Sequence, residues 1–194
     1  AVFHHLGERK IVYAPGVPKK ILRELSEWGF LLLKGEAELG PKYPASVYYN
    51  AARVGNIVFH NTKYTDKILR ENFSKMGIEL VHINQGYAKC AISVVNENSI
   101  ITMDRGIAKV AEKKGIDVLV IEEDAILLPG FKNGFIGGST GLIDKEKWAL
   151  AGDMRKLRSC EAIEDFLAQK GVKAVSLSEE PVVDIGTIIP LITE

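Results

Sequence analysis

Cysteine is scarce: the 194-residue chain has only Cys90 and Cys160. Two thiols so far apart in sequence form no disulfide framework and no CxxC metal knuckle. That usage fits a reduced, cytoplasmic protein. Histidine is nearly as rare, with His4, His5, His60 and His82, so no metal constellation is readable and no cofactor is implied. No apolar run reaches the length of a membrane span. Net charge is also missing: 25 Lys and Arg balance 25 Asp and Glu, which argues against a nucleic-acid binder driven by bulk electrostatics. The first residues, Ala1-Val2-Phe3-His4-His5, lack the charged-then-apolar order of a signal peptide. The missing Met suggests processing or trimming, and His4-His5 fits either a tag remnant or native residues. No Ser-, Gly- or Pro-rich linker and no charge block divides the chain, so residues 1–194 read as one domain.

A pattern is present instead. Four times an amphipathic helix ends at a Gly and runs into a short apolar strand. The helical stretches are 21–28, 68–76, 107–114 and 163–170, and the glycines are Gly29, Gly77, Gly115 and Gly171. Gly suits the left-handed residue that ends a helix, and an apolar residue follows it every time. Short strands precede each helix at 11–14, 57–60, 100–103 and 148–151. Thr65 or Asp66, Asp104 and Ser159 read as helix starts. The last three units carry one more strand upstream, at 46–51, 90–95 and 135–143. Turns at Gly55-Asn56, Asn96-Glu97-Asn98 and Asp144-Lys145 join the pairs. The unit is strand, turn, strand, helix, strand. The first unit lacks a leading strand, and the segment Asp184–Ile192 is left over at the end. Pairing it beside Ile11–Ala14 would close a propeller-like α/β ring and remove the exposed strand edges.

A closed ring of ββαβ units resembles the pentein fold, also called the guanidino-group-modifying-enzyme fold. More closely, the chain resembles an uncharacterised bacterial family of that fold. The residues that carry this likeness are Gly86 to Cys90, Ile100 to Ala108, Leu128 to Phe131, Gly134 to Gly138, and Asp184 to Leu191. The resemblance implies deiminases, dimethylaminohydrolases and amidinotransferases as relatives, together with a non-enzymatic ribosome anti-association factor. The chain departs from that pattern. Penteins have five units and four are readable. Their hydrolases carry a nucleophilic Cys on the last leading strand and a His-x-Asp pair on another. Asp184–Ile192 has no Cys, and no His here is followed two residues later by Asp.

Six residues are the candidate site. Cys90 is the candidate nucleophile, with Lys89 beside it to favour the thiolate; against this, a free Cys is commonly a small buried hydrophobe. Asp184, set between Val183 and Ile185, must be paired or functional, and the plain alternative is a carboxylate accepting backbone N–H groups at a turn. Asn50, Gly137 and Ser139 complete the ligand-binding set, although the glycines of 134–141 read first as close backbone packing. Tyr43, Tyr48 and Tyr49 could stack a ligand or cover a core edge. The expected function is binding of a small polar ligand or partner at the ring axis, without the usual Cys–His–carboxylate set. The alternative is a diverged amidino-group hydrolase or transferase acting on an arginine-like substrate through Cys90, with Asp184 holding the guanidinium and a histidine such as His60 as base.

Overall fold

The computed structural model describes residues 1–191. Twelve strands form four three-stranded sheets with one shared plan. The first sheet joins β1 (Phe3–Gly7), β2 (Lys10–Tyr13) and β3 (Leu31–Lys34), with α1 (Lys19–Glu27) between the last two. The second joins β4 (Ala52–Val54), β5 (Ile57–His60) and β6 (Glu79–His82) around α2 (Lys67–Lys75). A one-turn helix α3 (Ala88–Ala91) leads into the third, made of β7 (Ile92–Asn96), β8 (Ser99–Thr102) and β9 (Asp117–Val120) around α4 (Arg105–Glu112). The fourth has β10 (Thr140–Asp144), β11 (Lys147–Leu150) and β12 (Lys173–Ser176) around α5 (Cys160–Gln169). In every sheet the leading pair is antiparallel and the helix-crossed pair is parallel.

Local chemistry explains the shared plan. Gly29, Gly77, Gly115 and Gly171 take φ of 82°, 67°, 76° and 68°, which turns each helix into its strand without a Cβ clash. Asp66 caps α2 through the N–H groups of Ile68 and Leu69, and Asp104 caps α4 through those of Gly106 and Ile107. Ser159 departs from the expected cap. Its hydroxyl donates to the Glu122 carbonyl, while its N–H donates to the Glu123 carboxylate.

The core fills the seams between neighbouring sheets. Leu6, Val12, Val58, Leu69 and Phe73 pack between the first and second. Val54, Phe59, Ile92, Ile100 and Ile107 pack between the second and third. Ile101, Trp148, Leu150, Ile163 and Leu167 pack between the third and fourth. Ser93 ties the last seam by accepting hydrogen bonds from Thr140 and from the Trp148 indole.

Three expectations need correction. The first unit has its own leading strand, Phe3–Gly7, paired antiparallel with β2. The segment from Asp184 therefore does not pair beside Ile11–Ala14. Its N–H groups at Asp184, Ile185 and Ile188 reach the carbonyls of Leu127, Gly138 and Thr140 on the side of the fourth sheet. Beyond them Leu191 packs against Ile11, Leu25 and Phe30 of the first unit. The tail thus joins the fourth unit to the first by packing rather than by strand pairing; Ile192 lies outside the described residues. Residues 46–51 form turns, and the second leading strand starts at Ala52. Tyr49 explains the misplacement, because its ring is fully buried and its hydroxyl donates to the Ala37 carbonyl, so its bulk fills a seam. Cys90 lies in α3, two residues before β7 begins.

Candidate functional site

The helix α3 is wedged between Asn50 of the second unit and the backbone at Gly137-Gly138. Asn50, 1% exposed, accepts the N–H groups of Lys89 at 2.8 Å and Cys90 at 3.3 Å on Oδ1. Its Nδ2 donates to the Cys90 sulfur at 3.3 Å. The Cys90 Sγ in turn donates to the Gly186 carbonyl at 3.2 Å. Burial pushes this thiol up, and the charge of Asp184 adds to the rise; the Asn50 hydrogen bond and Lys89 pull the other way without overcoming it.

Asp184 is 8% exposed and engaged on both oxygens. Oδ2 accepts the Phe135 N–H at 2.9 Å and Oδ1 accepts the Gly186 N–H at 2.9 Å. A Cβ at Gly138 would sit 2.0 Å from Asp184 Oδ1, and one at Gly137 would sit 2.4 Å from the Ile92 carbonyl oxygen. Both glycines therefore allow backbone and carboxylate to approach, and no ligand space opens there. Ser139 is fully buried and donates to the Phe135 carbonyl.

Cys90, Asn50 and Asp184 thus meet in one network through Gly186. His60 does not join it. Its Nδ1 pairs with the Thr65 hydroxyl at 2.8 Å and its Nε2 with the Val47 carbonyl at 3.1 Å. Burial lowers its pKa to about 4. The three tyrosines do not gather either: Tyr43 is half exposed and packs edge-on to Tyr64, whereas Tyr49 is buried.

Lys89 takes a different direction from Cys90. Its side chain lines a cavity of about 180 Å³ bounded by elements of all four units and the tail: His4 and His5 on β1, Arg53 on β4, Val94 on β7, Leu142 on β10, and Ile189 and Pro190. This is the axial cavity of the assembly. Burial lowers the Lys89 ammonium to about 8, although the Cys90 thiol opposes that fall. Burial also lowers His4, to about 3, and the nearby His60, Lys89, His5 and Arg53 add to that effect. The Nε2 atoms of His4 and His5 are buried without a hydrogen-bond partner.

His4, His5 and Arg53 were not singled out as site residues from the sequence. Their strands are short and far apart in the chain, and the one available signal was the histidine pair itself. Among the described residues no cluster of three His, Cys, Asp or Glu side chains could hold a metal ion, and no helix is long and apolar enough to cross a membrane.

A sequence profile of a family of unknown function (DUF6873) matches residues 1–189. The chain belongs to that family. No curated protein matches it in sequence. Solved structures of similar fold include an amidinotransferase of the saxitoxin biosynthetic pathway from Microseira wollei. It is 14% identical, with 99% of this chain and 70% of that one covered at a TM-score of 0.58. An inosamine-phosphate amidinotransferase from Streptomyces griseus is 12% identical, with 92% and 61% covered and a TM-score of 0.56. An agmatine deiminase from C. jejuni is 12% identical, with 87% and 62% covered and a TM-score of 0.51. At such identities the likeness concerns the fold, and that fold is the pentein fold. The chain spans 61–70% of the length of these three structures.

Proposed function

We propose that this member of DUF6873 is a pentein-fold binding protein, acting as one domain, that holds a small polar ligand in the axial cavity and performs no Cys-dependent amidino chemistry. The observation that carries this reading is the state of Cys90. Covalent catalysis needs a thiolate and a base within hydrogen-bond reach. The Cys90 sulfur instead lies between the Asn50 amide and the Gly186 carbonyl, and burial raises its pKa. Among the described residues no histidine hydrogen-bonds it, and the Asp184 carboxylate is occupied by two backbone N–H groups.

The fold favours a second reading, since its solved relatives include amidinotransferases and an agmatine deiminase. In that reading Cys90 attacks an arginine-like substrate held by Asp184. Incubation with arginine, agmatine and methylated arginines separates the two, with release of ammonia, urea or amine as the readout. The binding reading expects no release above that of a Cys90→Ala control. Turnover that disappears in Cys90→Ala would replace it with the enzymatic one.

A further inference from the structure

Positive groups line the axial cavity, and among the described residues nothing negative lines it. Arg53 and Lys89 are both on its wall, with His4 and His5. Among the described residues no Asp or Glu lines the cavity, and neither Arg53 nor Lys89 forms an ion pair. Arg53 gives its Nε–H to the Gly55 carbonyl and one Nη1–H to the Leu6 carbonyl. A guanidinium has five N–H donors, so donors remain. His4 is 6% exposed, and its Nε2 lacks a partner. A buried polar atom without a partner is costly and calls for an explanation. Charges that go unpaired in a half-enclosed cavity are costly for the same reason.

A small anion would settle all three features at once. It would neutralise Lys89 and Arg53, accept from their free N–H groups, and accept from a ring N–H of a neutral histidine. The cavity of about 180 Å³ has room for a phosphate or a short carboxylate.

We infer that the axial cavity is an oxyanion site, in which Lys89 and Arg53 hold a carboxylate or phosphate group of a small molecule. The inference rests on the axial-binding reading above and sharpens it, because it selects against guanidino cations. A guanidinium entering this cavity would meet like charge.

Calorimetric titration with acetate, succinate and phosphate, beside agmatine, tests the assignment at constant ionic strength. At least one oxyanion binds, and the series separates a carboxylate ligand from a phosphate one. Lys89→Met weakens that binding roughly tenfold or more, as loss of a charged hydrogen bond does, and Lys89→Arg retains most of it. Binding unchanged in Lys89→Met overturns the site. Agmatine bound in place of the oxyanions overturns the anion assignment while leaving axial binding intact. No binding by any of the four overturns both. Should Lys89→Met not fold, the wild-type protein serves: the titration of the Lys89 ammonium, followed by NMR of 13C-labelled lysine, moves to higher pH with the bound oxyanion. An unmoved titration contradicts the proposal.

Discussion

At Cys90 the side chains of Asn50, Cys90 and Asp184 are all hydrogen-bonded. Asn50 latches α3 by two backbone N–H groups, the thiol sits between an amide and a carbonyl, and Asp184 accepts two further N–H groups. At Lys89, one residue earlier, the ammonium faces a cavity shared with Arg53 and two histidines, with no counter-charge on the wall among the described residues. The first region resembles an active site in composition and behaves as a structural joint. The second carries little sequence signal and leaves the Nε2 atoms of His4 and His5 without a partner. A satisfied network stabilises the fold, whereas an unsatisfied one persists where a ligand completes it.

Mutations should therefore act in opposite directions in the two regions. Gly138→Ala has the largest expected effect, because its Cβ would overlap Asp184 Oδ1 at 2.0 Å. A loss of about 3 kcal/mol is expected from urea unfolding. Asp184→Ala leaves the N–H groups of Phe135 and Gly186 without an acceptor and should cost about 2 kcal/mol. Asp184→Asn, which keeps one carbonyl oxygen, should cost less. In the cavity the sign reverses. Lys89→Met removes an unpaired, desolvated charge and should raise the stability of the free protein by about 1 kcal/mol. A destabilised Lys89→Met with a harmless Asp184→Ala would invert the comparison.

A pH dependence follows from the buried histidines. In the unfolded chain both titrate near 6.5, but in the folded chain His60 falls to about 4 and His4 to about 3. Between those values the unfolded chain binds more protons, so stability is full above pH 6.5 and declines as pH falls toward 4. The melting temperature should follow, and His60→Gln should flatten part of the slope. An identical slope in that variant would remove His60 from the account.

The chain order of the units was legible because its signals are local. A glycine after an amphipathic helix and an apolar run after the glycine need no tertiary information, and all four such corners occur where the sequence places them. Two edges were not legible. Phe3–Gly7 holds His4 and His5 in a five-residue strand, and polar residues mask its alternation. The segment from Asp184 is apolar enough for a strand, yet its N–H groups go to three separated carbonyls at Leu127, Gly138 and Thr140. Composition cannot reveal such an irregular partnership. At the site, Asp184 was visible as a carboxylate in apolar company, Lys89 as the neighbour of Cys90, and Asn50 as a polar rim residue. Their division between joint and cavity depends on partners more than 30 positions away.

The alkylation rate of Cys90 against pH, in a Cys160→Ser background and with or without agmatine, tests the central claim most directly. If Cys90 is a structural thiol, alkylation is slow at neutral pH, the midpoint lies above the ordinary thiol value of about 8.5, and agmatine has no effect. A midpoint well below that value, with protection by agmatine, would contradict the account and make Cys90 a nucleophile.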